Sequence, residues 1–598
     1  MKNKLIKKSL LLFVLAAGLF FTGCKKYLQE DPITEFSTAD AFSSVDSALQ
    51  VVLASYNQLA GDPGYGIRLS IYYPMGSDEC MNPSENSDGG RRSISRYEMD
   101  AGNTELSRPY RQLYYGVELA NHCIDNIPQM EAFKGNQGAE KEKQAKRMYG
   151  EALTLRAQFY LTLLTLWGDL PAPMVPASKN PDEFPQKEDR DVVYEKLLSD
   201  LLIAKENLPW RNEVLPDERI TKSAAMALRA KIALFRAGWS LRRSPVQMAR
   251  GSNPEVYYTI ARDECKELIE SGQHTLHPNF KSLFKDYFCS VKTPVDPGGE
   301  IIFQVAMAGG SAIADSKMGY ANGPRYNNQG NNFVLVLPTA FYKFDSLDTR
   351  RDVSVAPYNV NADGTKIGLR LIEMRDGKFR REWITPAIDA FDNGQYFSVN
   401  WPLIRYSDVL LMFAEAENEL NGPTAAAIAA YEAVRKRGFR GNESQIGTTP
   451  VSKTAFFDAI VDERLLEFMG EGIRKYDLIR WNLLGTKIQE TKTNLLKMAN
   501  GEAPYENLPD FMYYRTGSTA DDSNLWANSL YWPSPTGSGA IPGATRVNWI
   551  AVSSGAESLL VTTTLARYAI GFTPNKSELF PIHQSDISLG KLPQDYGY

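Results

Sequence analysis

Apolar residues recur at helical spacing along most of this chain, and that recurrence restricts the fold to a largely helical one. After Ser407, residues Val409, Met412, Phe413, Ala416 and Leu420 fall on one stripe, while Glu415, Glu417 and Glu419 point elsewhere. The same spacing predicts helices over Ala39–Leu59, Tyr110–Asn126, Glu140–Leu166, Val192–Asn207, Lys222–Trp239 and Val256–Glu270. Beyond a long gap it predicts Asp408–Leu420, Ala425–Lys436, Ala455–Met469 and Arg474–Leu483. Thr38, Thr221, Ser407 and Thr424 stand where N-caps belong, and several segments end at Gly or Pro. Small Ala414 and Ala416 would let a partner helix approach closely. Leu-Arg-Ala occurs at Leu155–Ala157 and again at Leu228–Ala230, a separation close to two tetratricopeptide lengths of roughly 34 residues. The expected class is mostly α, with tetratricopeptide-like helix pairs that offer a surface and not a closed pocket.

Two long segments interrupt the helices. Asp62 to Thr104 is rich in Gly, Pro, Ser and Asp with interspersed aromatics, and Gly309 to Asn400 follows a strand-like "EIIFQVAM". A third, Tyr505 to Asn548, carries Tyr513, Tyr514, Trp526, Tyr531 and Trp532. Loops of this length in a compact domain are usually functional or disordered. The expected fold therefore packs the helix pairs against a loop-rich region with a few short strands.

The chain's front end concerns location. Lys2, Lys4, Lys7 and Lys8 precede an apolar run from Leu10 to Phe21, about a dozen residues, which suits a signal peptide and is too short to span a bilayer. Phe21-Thr22-Gly23-Cys24 then resembles a bacterial lipobox, with Phe21 where leucine is usual. In that pattern the Cys24 thiol takes a diacylglycerol and becomes the new N-terminus, so the mature protein is tethered to a membrane through lipid. An ordinary secretory signal with an incidental cysteine is the alternative. The 598 residues are 43% hydrophobic and 23% charged with a net charge of −5, which supplies a core and gives no sign of a nucleic-acid partner. Cys80, Cys123, Cys265 and Cys289 are too few for a disulfide framework, and Cys123 and Cys265 read as buried apolar side chains. No C-x-x-C pair argues for structural zinc.

A search for chemistry finds no metalloprotease, nucleophile-elbow, phosphate-loop or dinucleotide motif, and no cofactor is expected. His274 and His277 lack a third ligand and read as loop or core residues. "YNVNADGTKIG" mimics the opening of a calcium loop, but its twelfth position is Arg370 instead of a bidentate Glu. A turn at Asp363-Gly364 between two strands fits better. Asp462, Glu463, Glu467 and Glu471 look like a carboxylate cluster, yet they share their segment with Arg464, Arg474, Lys475 and Arg480. An ion network within a helix hairpin is the expected reading there.

That segment, "VDERLLEFMGEGIRKYDLIRWNLL", resembles the C-terminal helix pair of the SusD/RagB family of outer-membrane lipoproteins from Bacteroidetes. "YLQEDPITEFSTADAFSSVDSALQVVLASYNQL", "RPYRQLYYGVELANHCIDNIP", "EALTLRAQFYLTLLTLWGDLPAP" and "PLIRYSDVLLMFAEAENELNG" are similar to its other blocks, in order. "ELFPIHQSDISLGKLPQDYGY" resembles the family's close, departing from it at His583 and at Asp595-Tyr596. The resemblance implies a signal peptide over 1–23 and one SusD-like domain over 24–598. Its part 24–300 would carry most tetratricopeptide-like helices, and 301–598 would be the loop-rich RagB/SusD part. It also implies a lipid-anchored protein at the surface of the outer membrane, partnered with a SusC-like TonB-dependent transporter to which it delivers a nutrient. No catalysis is implied. The ligand is an oligosaccharide in many members and a peptide in a minority; a surface glycoside hydrolase is a remoter alternative.

Sugar recognition needs aromatic faces for pyranose C–H surfaces and amide, carboxylate or guanidinium groups for hydroxyls. The first long segment offers Tyr65, Tyr72, Tyr73, Asp78, Arg91 and Arg92, with Asn82 between them. The second offers Tyr320, Arg325, Tyr326, Asn327, Asn328 and Phe333, followed by Trp383. Tyr326 with its two asparagines is the leading candidate. The competing reading is that these aromatics pack the loops onto the body, and that Arg91 and Arg92 pair with Glu98 or Asp100.

Overall fold

Ser44 starts the first long helix: its hydroxyl accepts the Ser47 amide at 3.1 Å, and Val45, Ala48 and Val52 then bury one face. The computed structural model describes residues 37–598 except 215–218, 292–295, 332, 536–540 and 551–557, so Cys24 and the run before it lie outside the described residues. This helix, α1 (Val45–Asn57), is followed by α2 (Thr104–Asn126), α3 (Ala139–Trp167), α4 (Arg190–Asn207), α5 (Lys222–Ala237) and α6 (Pro254–Glu270). After an interruption come α7 (Tyr406–Asn421), α8 (Ala425–Gly438), α9 (Lys453–Phe468), α10 (Arg474–Arg480) and α11 (Leu484–Asn500). Helix α2 packs on α3, α3 on α4, α4 on α5 and α5 on α6; α6 then packs on α7, and α7 on α8 and α9. The fold is mostly α, a tetratricopeptide-like stack. At the α2–α3 crossing, Gly116 is required because a Cβ there would lie 2.5 Å from the Phe159 ring.

The Leu-Arg-Ala echo marks one step of this stack and not two. Its copies lie in α3 and α5, the second helices of adjacent pairs. Arg156 reaches Asp200 on α4 at 2.7 Å, and Arg229 reaches Glu264 on α6, so each ties its helix to the first helix of the next pair. The spacing is doubled because α3 is 29 residues long and Gly168 to Asp189 intervenes before α4.

Several local expectations change. The segment 39–59 is broken, with Ser37 capping a short turn at Thr38–Ala41 before α1 begins. Ser407 is no cap: α7 starts at Tyr406, and the buried Ser407 hydroxyl accepts from Arg405 at 2.7 Å. Glu415 does not point away from the core. It is buried and accepts from Arg480 at 2.8 Å and Trp481 at 2.9 Å. Helix α11 was not predicted, because its apolar stripe is only Leu484, Ile488, Leu495 and Met498 among Thr, Gln, Lys and Asn. The turn at Asp363-Gly364 joins strands 358–360 and 366–368, with Gly364 at φ +82°. His274 sits in the core between Ser223 and the Gly299 carbonyl, where burial lowers its pKa to about 4.

The carboxylate cluster is structural, but its partners come from elsewhere in the fold. Glu467 meets Arg405 at 2.9 Å, Arg437 and Arg350; Glu463 meets Arg350; Glu471 meets Arg405 at 2.8 Å and Lys378. Arg464 instead holds Asp408 and Asp477, and Arg480 holds Glu415 and Asp477. Of the four, Asp462 alone is half-exposed, 3.3 Å from Lys343. These buried charges persist because each has opposite charges around it.

The C-terminal residues return to the first half of the stack. The Tyr596 hydroxyl accepts the Asp169 amide at 2.9 Å and Arg190 at 2.8 Å, while Arg190 also pairs with the Asp169 carboxylate at 2.8 Å. Asp595 pairs with Lys187 at 2.8 Å.

Candidate functional site

The two long segments form one body. The second leaves the stack through strand 301–305 and returns through strand 401–405, which pair antiparallel and close its base. The first lies between α1 and α2, and its glycines admit the second's backbone. The Asp62 amide donates to the Ala312 carbonyl at 2.7 Å and the Lys317 amide to the Gly66 carbonyl at 2.9 Å. A Cβ on Gly61 would sit 2.4 Å from the Ile313 oxygen, and one on Gly66 would sit 2.5 Å from that of Asp315. A second stitch pairs Cys80–Met81 with Leu335–Val336, reinforced by Asn82 donating to the Phe333 carbonyl at 2.9 Å.

This stitching sorts the candidates. Tyr73 is fully buried with its hydroxyl on the Glu105 carbonyl. Asp78 is buried against Arg474, and Trp383 is buried with its indole on Asp521 at 3.2 Å. Tyr65 is half-buried, its hydroxyl 3.2 Å from both Thr162 and Gln158. These four have structural partners. Tyr72 and Phe333 are also buried, but their rings meet at 4.4 Å and carry the exposed Arg91, 5.9 and 5.6 Å above them. Arg91 thus caps an aromatic pair, and Arg92 pairs with Asp88; neither meets Glu98 or Asp100, and Glu98 is held by Arg96.

Tyr320 and Tyr326 are half-exposed. Tyr326 and Gln329 exchange backbone hydrogen bonds of 3.2 and 2.9 Å around Asn327 and Asn328, whose φ angles are +49° and +62°. Two positive φ values in a two-residue turn are the type I′ pattern, which favours asparagine. The two asparagines are therefore present at least for the backbone, and Asn328 is exposed at the tip. Burial draws the Arg381 guanidinium below its ordinary value, with Asp392 and the nearby Tyr320 and Tyr326 hydroxyls opposing. Arg381 lies 4.7 Å over the half-exposed Phe397 ring. Beside it the Tyr396 hydroxyl meets Asp62 at 3.2 Å, and Lys317 sits 5.0 Å over the Tyr396 ring and 2.9 Å from Asp62. Half-exposed Tyr320, Tyr326 and Phe397 thus lie around Arg381, and half-exposed Tyr396, next to Phe397 in the chain, lies on the Lys317–Asp62 pair.

Arg325 stands apart, close to Arg375. The sequence reading missed Arg381, Tyr396 and Phe397, although "GQYFSVN" carries an aromatic doublet inside the second segment. It also passed over Phe391, 73% exposed, and named Trp532, 65% exposed, without offering it as a ligand contact.

Residues 299–598 match the model of the SusD family, and residues 33–234 match a model described as "Starch-binding associating with outer membrane". A SusD-like protein of Formosa agariphila is 26% identical over 529 residues, 81% of this chain and 91% of that protein. A SusD homolog from Bacteroides thetaiotaomicron, 24% identical, superposes with a TM-score of 0.74 over 94% of this chain and 98% of its own. Surface glycan-binding protein A from the same species, in complex with laminarihexaose, is 17% identical with a TM-score of 0.59 over 92% and 99%. With half the sequence matched by the family's own model and the fold shared over 94% of the chain, this chain belongs to the SusD family.

Proposed function

We propose that this protein is a surface lipoprotein, anchored to the outer membrane through Cys24, that binds a glycan and passes it to a SusC-like TonB-dependent transporter. The carrying observation is the presence of these half-exposed aromatics on the stitched loops. Tyr320, Tyr326, Tyr396 and Phe397 offer faces for pyranose rings, and Asn327, Asn328 and Asp62 offer hydrogen bonds to hydroxyls. The outer-membrane description of the matched model and the laminarihexaose bound by surface glycan-binding protein A support the reading. No described helix is long and apolar enough to cross a membrane. Binding without catalysis is favoured because Glu463, Glu467 and Glu471 are buried under arginine and lysine.

Affinity electrophoresis through gels cast with plant and host polysaccharides tests this. Retardation by one polymer, weakened by Tyr326→Ala in a folded protein, is the expected result. Release of sugars from that polymer by homogeneous protein would overturn the non-enzyme claim, and retardation by none would favour a peptide ligand. Globomycin-insensitive maturation would remove the lipid anchor.

A further inference from the structure

Most buried arginines among the described residues come with carboxylates: Arg350 with Asp348, Arg405 with Glu300, Arg464 with Asp408, Arg474 with Asp78 and Arg480 with Glu415. Arg380 and Arg381 are held by backbone carbonyls instead, and Arg375 has neither kind of partner. It is 6% exposed, its Nε is enclosed without a partner, and its side chain makes no hydrogen bond or ion pair among the described residues. Its backbone is fixed, since strand 375–376 pairs with 355–356 and the neighbouring Met374 carbonyl accepts the Val336 amide at 3.0 Å. Burial lowers the Arg375 pKa to about 10, with the Arg325 charge adding to it and the Glu373 and Asp376 charges opposing.

Arg375 lines a cavity of 380 Å³ beside the second stitch between the loops. That volume lies within the roughly 300–1,000 Å³ of small-molecule sites. Met81, Leu335 and Ile372 give it an apolar wall. Arg370 and Glu373 neutralise each other at 2.6 Å, and Arg567 is pinned to the Pro83 carbonyl at 2.8 Å and to Glu85. Glu373, the nearest opposing charge, is taken up by Arg370, so Arg375 lines the cavity with no carboxylate paired to it; such a fork of donors suits an oxyanion, which guanidinium binds in bidentate fashion.

We propose that this cavity is a subsite for the anionic substituent of a glycan, a uronate carboxylate or a sulfate ester, with Arg375 as its counter-ion. The inference rests on the glycan-binding reading and narrows it to acidic polymers. An apolar wall beside the charged fork accommodates the C–H face of the sugar that carries the anion.

The test uses full-length protein in detergent, run through gels of polygalacturonate, a sulfated galactan and a neutral galactan. Acidic polymers are expected to retard the wild type most, and Arg375→Met to weaken that retardation at least tenfold while leaving the neutral gel unchanged. Arg375→Lys, which keeps the charge and loses the fork, is the second variant and is expected to fall between. Melting curves with galacturonate or inorganic sulfate at fixed ionic strength give an independent readout and separate carboxylate from sulfate. Stabilisation of the wild type and not of Arg375→Met supports the subsite; equal stabilisation of both overturns it. Neutral retardation without any Arg375-dependent anion effect overturns the subsite alone. Arg375-dependent stabilisation without retardation by any polymer keeps the subsite and overturns the glycan reading, and absence of both effects overturns both.

Discussion

Arg474 grips Asp78 through parallel hydrogen bonds of 2.8 and 2.7 Å, joining α10 to the first inserted segment across 396 residues of sequence. Both side chains are buried. Burial alone would raise the Asp78 carboxyl, but the Arg474 guanidinium outweighs it and holds it below its ordinary value. The pair therefore anchors the loop body to the helical stack.

Removing one partner leaves the other charge buried and alone. Asp78→Ala is expected to cost about 3–5 kcal/mol in urea unfolding, and Asp78→Ala with Arg474→Met to recover part of that loss. Additive costs in the double variant would show that the two residues act independently.

Glu79, next in sequence, behaves oppositely. Burial first, and then the Asp78 charge, raises its pKa to about 8, and one of its carboxylate oxygens is enclosed without a partner. Because the folded pKa exceeds the unfolded value near 4.3, its contribution is full below about pH 4 and is lost as pH rises toward 8. Glu79→Gln removes that titration. Its urea midpoint is expected to fall less between pH 5 and pH 8 than the wild type's; identical slopes would place the Glu79 proton elsewhere.

The Asn327-Asn328 turn predicts a substitution order. Asn328→Gly keeps the positive φ at no steric cost and should leave the melting temperature unchanged or slightly higher. Asn328→Val forces a β-branched residue into the left-handed region and should cost about 1–2 kcal/mol. Calorimetry that ranked Val at or above Gly would contradict the turn.

Tyr326 and Trp383 should separate binding from folding. Tyr326→Ala is expected to weaken glycan retardation about tenfold while shifting the melting temperature by about 3 °C or less. Trp383→Ala empties a buried site between Arg380 and Asp521 and should cost about 3–5 kcal/mol, with retardation by the remaining folded protein intact.

The helices were legible wherever a broad apolar stripe marked them, as in α7, and failed where the stripe narrowed, as in α11. Charge placement was less legible. Glu415 looked like a surface residue because periodicity ranks residues by polarity, while its buried partner Arg480 is far away in sequence. Residue types found both loop segments, but not which aromatics would be covered. Tyr72 and Tyr73 read like Tyr320 and Tyr326 in composition; only the stitches at Gly61–Gly66 and Cys80–Met81 decide that the first two are buried. Arg375 carried no local signal, since Glu373 and Asp376 flank it in the sequence and only the fold leaves it without a paired carboxylate.

The hydroxyl of Tyr596 completes a junction opened by Asp169, 427 residues earlier. Contacts of such sequence separation form late, because their loop must close before they return any free energy. Helices α3 and α4 can already be tied by Arg156 to Asp200 and by Arg190 to Asp169, and the Tyr596 hydroxyl adds the last contacts to that junction. The junction beside α3 is therefore built from both ends of the sequence, and its hydroxyl partner is among the last residues to reach the fold.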